Sequence, residues 1–456
     1  MIPAATRGDA SGAPPPASTG PDHDPDVLVI GGGPAGSTVA TLLARRGWRV
    51  TVLEKEAHPR FHIGESLLPA NMPILERLGV LEQVRAIGVL KRGADFPLDD
   101  GSYNTFPFRR ALGARCDYAF HVRREEFDQL LFEHARANGV DARERTRVER
   151  VEFEQAGAIT VHAATAAGPQ LFRPRYLVDA SGRDAFLGAR LGLRRRNRRH
   201  QSAAVFSHFT GVRRRPGEDA GNVSIIRHPH GWLWLIPLRD DVTSVGAVCS
   251  PDYMKQRRGD SEGFLMRTLA AVPAAQARIR DASRVGPVHV TGNYAYDCAA
   301  MSGPGWVLLG DAWAFVDPMF SSGVYLAMNS AELGAHAIDA ALRQPARERA
   351  LMAALEKRLS RGLAEFKWFI YRFTSPTMKR LFASPWNGWQ IEQAVVAMLA
   401  GDVFDNAPVL RRLRAFRLVY ALTALRQAPS ALRDRLHRRR QARMAPGDDI
   451  LQSDNP

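Results

Sequence analysis

The sequence predicts an α/β chain in which a strand-helix-strand unit opens the fold, a strand-rich segment is inserted into it, and helices close it. Three stretches carry that prediction. Val27-Leu28-Val29-Ile30 is a short apolar run, followed by an Ala/Leu-rich helix pattern to Arg46 and a second apolar run, Val50-Thr51-Val52-Leu53. Two buried strands around one helix make a βαβ unit. Alternating strand patterns then dominate from about Ala203 to Val248, and a strand-rich insertion of this kind forms a sheet of its own. Residues beyond about 345 show mostly helical patterns with apolar faces and much arginine.

Between the first strand and its helix, Gly31, Gly33 and Gly36 fall in GxGxxG register. One such glycine turns the chain tightly, one lets backbone approach a pyrophosphate, and one lets helix pack against strand. The helix N-terminus then presents unpaired N–H groups and its positive dipole end to the pyrophosphate. Glu54, closing the second strand, is placed to accept both ribose hydroxyls, which favours FAD or NAD over NADP. Strand, helix, second strand and terminal acid coincide, so the opening unit is a Rossmann-like dinucleotide-binding domain.

The 456 residues, 45% of them apolar, suffice for a large core and for two or three domains. Residues 1–24, rich in Ala, Pro, Gly and Ser, are expected to be a disordered tail. The dinucleotide domain is expected over 25–345, with the interleaved sheet mainly at 86–119 and 195–290. A helical region at 346–444 and a flexible tail at 445–456 complete the division. No apolar run approaches a membrane span and the N-terminus lacks a signal-peptide core, so a cytoplasmic protein is expected. Cys116, Cys249 and Cys298 are far apart and lack metal-site spacing; they read as reduced thiols, with no metal.

The net charge of +15 is unevenly spread. Residues 411–443 hold eleven arginines against one acid, Asp434, and five more arginines crowd Arg194 to Arg199. Such a field suits nucleic acid, anionic lipid or an acidic protein, or it is simply a solvated helix face. Stacking aromatics are sparse in these segments and no recognition motif accompanies them, so no nucleic-acid partner is expected.

The remaining elements follow in order. Pro59 to Pro69, ending in FHIGESLLP, is a Gly- and Pro-bounded loop with three polar groups close together. Asn71 to Val84 has helical spacing at Ile74, Leu75, Leu78 and Leu81. Val89 to Phe96 enters a strand that carries Lys91, and a strand-edge lysine is ordinarily solvated. Arg123 and Arg124 open a helix whose apolar face is Phe127, Leu130, Leu131 and Ala135; they could meet a phosphate or pair with Glu125 and Glu126. Leu177 to Arg183 runs a strand into a polar turn, where Asp179 is equally a turn former. In Gly231 to Pro237 a period of two puts Trp232, Trp234 and Ile236 on one face. Gly310-Asp311 follows a third strand, and Ser322 and Gly323 open a long helix whose free N–H groups suit an anion.

Taken together, these residues resemble the flavin-dependent halogenases, relatives of the single-GxGxxG FAD monooxygenases. GGGPAG at 31–36, DASGR at 179–183 and Gly310-Asp311 belong to the wider group and imply FAD held by Gly31, Gly33, Gly36, Glu54, Arg124 and Asp311. Gly231 to Pro237 matches the GWxWxIP signature of the halogenases, and Phe315, Pro318, Ser321 and Gly323 match their FxxPxxSxG signature. FHIGESLLP is also typical. The resemblance covers Asp26 to about Ala335, and more loosely to Val403.

The resemblance implies that reduced FAD, supplied by a partner flavin reductase, and O₂ oxidise a chloride or bromide ion to hypohalous acid. Ser322 and Gly323 would bind the halide. Trp232, Trp234, Ile236, Pro237 and Phe320 would line the tunnel to the substrate, and Lys91 would be the catalytic amine. Phe320 stands where the tryptophan-type enzymes carry a glutamate, which points to a phenolic or pyrrole-like ring, free or carried by an acyl carrier protein. The basic C-terminal region would dock that carrier or make peripheral contact with an anionic membrane. An aromatic or polyene monooxygenase or dehydrogenase on the same scaffold is the alternative.

Overall fold

The computed structural model describes residues 24–98, 100–154, 157–197, 201–292, 295–383 and 388–426. The expected N-terminal tail except Asp24, the expected C-terminal tail, and the arginines from Arg433 onward fall outside the described residues.

Two sheets position the site. In the first, six strands lie in the order Ser302–Gly303, Trp306–Leu308, Tyr176–Asp179, Val27–Ile30, Val50–Leu53 and Asp141–Arg143. Every pairing is parallel except the first. Both faces of a parallel sheet are covered, so its strands are apolar throughout. Val27 and Val29 face the helices Pro34–Ala44 and Gly323–Arg343, whereas Leu28 and Ile30 pack on Ile159, Val161 and Phe172 of a three-stranded sheet behind.

The second sheet has eight strands. Ala203–Thr210, Thr243–Cys249, Gly231–Pro237 and Val223–His228 form its antiparallel centre. Gly93–Pro97 joins in parallel and carries Tyr103–Pro107 with it. Side-chain alternation divides Gly231–Pro237 as its spacing predicts: Trp232, Trp234 and Ile236 enter the main core, while Leu233 and Leu235 meet Phe264, Leu265 and Leu269 on the outer side. Asp240 and Asp241, with φ of 58° and 56°, make the tight turn into the next strand.

Two expectations change in detail. The helix expected over Asn71 to Val84 is two helices, Met72–Leu78 and Leu81–Ile87, because Gly79 takes a left-handed φ of 78° and ends the first. The strand expected from Val89 to Phe96 is also divided. Gly88–Lys91 pairs with Ala119–Val122 in a separate ribbon, and only Gly93–Pro97 enters the large sheet. Lys91 thereby ends a short strand outside the large sheet, and it is buried rather than solvated.

The C-terminal helices Glu348–Ile370, Pro376–Ala383, Ile391–Leu399 and Ala407–Arg426 close the free side of the large sheet. Phe96 and Phe106 from the sheet meet Phe373 and Phe382 at ring separations of 5.4 to 5.6 Å. Arg194, one of the clustered arginines, is spent on packing, with its guanidinium 4.1 Å from the Tyr296 ring centre. None of the described helices is long and apolar enough to cross a membrane, and no metal-binding cluster occurs among the described residues.

Close approach of the tryptophan wall to its neighbouring strand gives a test. A Cβ on Gly246 would lie 2.3 Å from the Trp234 ring and 2.6 Å from Phe206, whereas one on Gly286 would meet nothing nearer than 3.7 Å. Gly246→Ala should cost about 1–3 kcal/mol by overpacking, and Gly286→Ala should stay within roughly 0.5 kcal/mol of the parent. Equal thermal midpoints for the two variants would refute the packing described.

Candidate active site

A cavity of about 340 Å³ runs between the parallel sheet and the inner face of the large sheet. One end is lined by Gly31, Gly33, Glu54, Arg60 and Thr146, the other by Trp232, Trp234, Ile236, Phe315 and Gly323. The glycines at the first end divide their work as the motif requires. Gly31 has φ of 97°, and a Cβ there would strike the Ala180 carbonyl at 2.6 Å. On Gly36 it would lie 1.9 Å from the Gly31 carbonyl oxygen. On Gly33 it would meet only an Arg60 nitrogen, at 3.6 Å, so the space beside Gly33 is left for a ligand.

Glu54 is buried, with Gly32 N–H donating to one carboxylate oxygen at 2.8 Å and Glu56 N–H to the other at 3.0 Å. The oxygen that takes Glu56 N–H keeps acceptor capacity toward a ribose, while the other also accepts from Arg60. Arg60 ties Glu54 to Asp128 at 3.3 and 3.0 Å. Burial would lower the Arg60 pKa, but the two carboxylates outweigh it and hold the guanidinium charged. Of the two arginines at this helix start, Arg123 pairs with Glu126 at 3.5 Å, whereas Arg124 lines the cavity, grips Asp128 through two bonds of 2.7 and 3.0 Å and donates to the Ile63 carbonyl. Asp311 also lines the cavity, and burial lifts its carboxyl to about 6 against the pull of Arg183 and Arg124. Asp179 is a turn former, accepting from Ser181 and Leu187 N–H at 2.9 and 2.7 Å.

At the other end the placement is mixed. Trp232, Trp234 and Ile236 line the cavity. Pro237 and Phe320 are buried but are not part of its lining. Phe320 packs edge-on against Phe373 at 5.6 Å, because the left-handed Ser321 after it swings the chain into the long helix. Ser321 and Gly323 reach the cavity, whereas Ser322 between them is fully buried at the helix N-cap. The helix start still supplies N–H groups that lack intrahelical partners.

Lys91 is 1% exposed. Its amine donates to Ser66 Oγ at 2.9 Å and the Leu67 carbonyl at 3.0 Å, and lies 5.3 Å from the centre of the Phe108 ring. No carboxylate pairs with it among the described residues, and burial pushes its pKa down to about 7. Lys91 does not line the cavity; Ser66 does. The amine therefore sits one side chain behind the cavity wall. His121 shares its face of the short ribbon and is kept neutral by burial and by the nearby Lys91 charge.

Sequence reasoning passed over Arg60, Ser66 and Glu65, although all stand in or beside the polar loop it singled out. His208 and His121 gave no signal at all, since each is a lone histidine on a strand.

A family model described as an FAD binding domain matches residues 24–367. The chain is 37% identical over 318 residues to the tryptophan 2-halogenase of Chondromyces crocatus, covering 68% of this chain and 60% of that protein's length. It is 30% identical over 409 residues to the 1H-pyrrole-2-carbonyl-[peptidyl-carrier protein] chlorinase of Pseudomonas fluorescens, covering 84% and 91%. Among solved structures, the myxobacterial chondrochloren halogenase CndH has 33% identity and a TM-score of 0.74, with 89% of this chain and 90% of that chain covered. A flavoprotein/dehydrogenase from Cytophaga hutchinsonii has 28% identity and a TM-score of 0.80, covering 89% and 100%. FAD is thus the dinucleotide, and Gly33, Glu54 and Asp311, all lining the cavity, fit it.

Two measurements test this geometry. Gly33→Ala should leave the thermal midpoint of the FAD-free chain unchanged but abolish FAD binding in a fluorescence titration, while Gly36→Ala should lower the midpoint itself. Loss of FAD-free stability in Gly33→Ala would contradict the open space beside it. For Lys91, a pKa near 7 in the folded chain and about 10.4 in the unfolded one makes its burial costly below pH 7. The cost recedes as pH rises from about 7 to 10, because the folded state sheds its proton first. Lys91→Met should therefore stabilise the chain by roughly 2–4 kcal/mol at pH 6 and by progressively less toward pH 10. A gain independent of pH would contradict it.

Proposed function

The chain belongs to the flavin-dependent halogenases, and we propose that it halogenates an electron-rich aromatic ring, phenolic or pyrrole-like, by way of hypohalous acid and Lys91. The observation that carries this reading is the Lys91 amine, fully buried without an acid and separated from the cavity only by Ser66. When bound, reduced FAD supplies the electrons that let O₂ oxidise a halide ion. Gly33 would let backbone approach its pyrophosphate, with Gly31 and Gly36 allowing the tight turn and helix packing behind it, and Glu54, Arg124 and Asp311 would hold it. Chloride or bromide is held at the helix start by the N–H groups of Ser322 and Gly323, in a place from which Trp232, Trp234 and Ile236 exclude water.

The tryptophan wall keeps the substrate ring apart from the cofactor, so that halogen rather than oxygen is transferred. Lys91 takes up the oxidised halogen either as an ammonium donating a hydrogen bond or as an amine forming a haloamine, and a pKa near neutrality makes both forms accessible. Phenols and pyrroles are activated enough to need no base at Phe320. Reduced FAD comes from a separate flavin reductase. The substrate is held by an acyl carrier protein, in keeping with the carrier-linked substrate in the name of the Pseudomonas relative. Arg411 and Arg414, exposed on the last described helix, give that acidic partner a docking surface, and the same charge suits peripheral contact with an anionic membrane.

The decisive assay combines the protein with FAD, a flavin reductase, NADH, O₂ and either halide, and reads phenolic or carrier-bound pyrrolyl products by mass spectrometry. Halogen isotope patterns are expected from the parent. Lys91→Ala should abolish them while O₂-dependent flavin oxidation continues at the parental rate. Halogenation by Lys91→Ala would overturn the role of the amine. The likeness to the Cytophaga flavoprotein/dehydrogenase favours a second reading, a monooxygenase or dehydrogenase on the same scaffold, which a product gaining one oxygen or losing two hydrogens, with no halogen, would select.

A further inference from the structure

Glu65 and Ser66 are neighbours in the GES loop, and both line the cavity. Ser66 is used by Lys91. Glu65 points to a different partner: one carboxylate oxygen accepts from His208 Nε2 at 2.7 Å, and the other is buried with no hydrogen-bond partner. Such an acceptor is costly to leave unsatisfied, so the cavity's contents must complete it. His208 lies on Ala203–Thr210 of the large sheet, with its side chain 20% exposed against 3% for Glu65. Above it Phe61, 44% exposed, stacks on His289 at 4.2 Å and meets the His208 ring edge-on at 6.3 Å. The pair therefore spans from water to the cavity interior.

The proposed reaction, on which this inference rests, needs such a connection. FADH₂, O₂, a halide ion and one proton give FAD, hypohalous acid and water. The flavin and the halide each lose two electrons and O₂ gains four. One proton must therefore enter the cavity. We propose that His208 and Glu65 are the path of that proton. Imidazolium gives its Nε2 proton to Glu65; rotation of the carboxyl presents it to the oxygen atom of O₂ that departs as water. His208 then takes the next proton from solvent, restoring the pair.

The surrounding charges fit this use. Burial opposes the imidazolium, but the hydrogen bond and charge of Glu65, with Glu125 behind it, outweigh burial and the nearby Arg123, so the His208 pKa is raised. His289, the other titratable ring at this mouth, is held neutral by burial and by His208. As pH climbs through the raised pKa the donor is lost, and product formation should fall along an alkaline limb set by His208.

The test has two arms. In FAD-loaded protein without halide or O₂, nitrogen-15 imidazole spectra should show His208 titrating above its ordinary range, and Glu65→Gln should return it there. In turnover, His208→Gln, which keeps a donor to Glu65 but cannot carry a proton, should lose roughly 10²-fold in halogenated product per NADH consumed with FAD affinity unchanged. His208→Ala should regain product on addition of imidazole. A His208 titration unmoved by Glu65→Gln, full product yield from His208→Gln, or loss in His208→Ala without imidazole rescue would each overturn the relay. A parent enzyme that yields no halogenated product while His208 titrates as described would instead refute the halogenase reading.

Discussion

A lysine amine withdrawn completely from water, with a hydroxyl and a carbonyl for company and no acid, is the constraint on which the rest of the structure turns. Burying an ammonium is unfavourable, and a carboxylate nearby would relieve it. The fold denies that relief. Lys91 ends a two-stranded ribbon, and its amine is bordered by Phe108 and the GES loop, with neutral His121 nearby. Burial without an acid costs stability and brings the amine's pKa down to about 7, a combination found more often at functional sites than elsewhere.

The opposite end of the cavity carries a set of paired charges instead. Glu54, Arg60, Asp128 and Arg124 form one chain of ion pairs among buried or half-buried groups. That chain fixes the loop from Arg60 to Ser66, because Arg60 stands at its start and Arg124 holds the Ile63 carbonyl. The cofactor end and the lysine end are thus coupled through one short loop. Glu65 and Ser66, successive residues of it, look toward a solvent-facing histidine and toward the amine.

The β-strand period of two explains why the tryptophan wall was legible in the sequence. Trp232, Trp234 and Ile236 had to share a face once Gly231 to Pro237 was a strand, and that face meets the cavity. The same argument could not place Pro237, which continues the strand pairing, or Phe320, which precedes a left-handed turn into a helix and packs on Phe373. Local pattern reports the direction of a side chain relative to its own element, not what lies opposite. Asn71 to Val84 shows a related limit: the apolar spacing persisted across Gly79, where the backbone reversed.

By itself the sequence determined the βαβ unit and its cofactor class, the strand-rich insertion, the helical C-terminal region and the residues matching two halogenase signatures. These depend on contacts within a few residues, where steric needs such as those of Gly31 and Gly36 leave little choice. Tertiary structure alone decided that Lys91 is buried without an acid, that Ser66 divides it from the cavity, and that Arg124 holds Asp128. It alone brought His208 to Glu65, 143 positions earlier in the chain. Burial and electrostatic environment are sums over residues far apart in sequence, and no local pattern carries them.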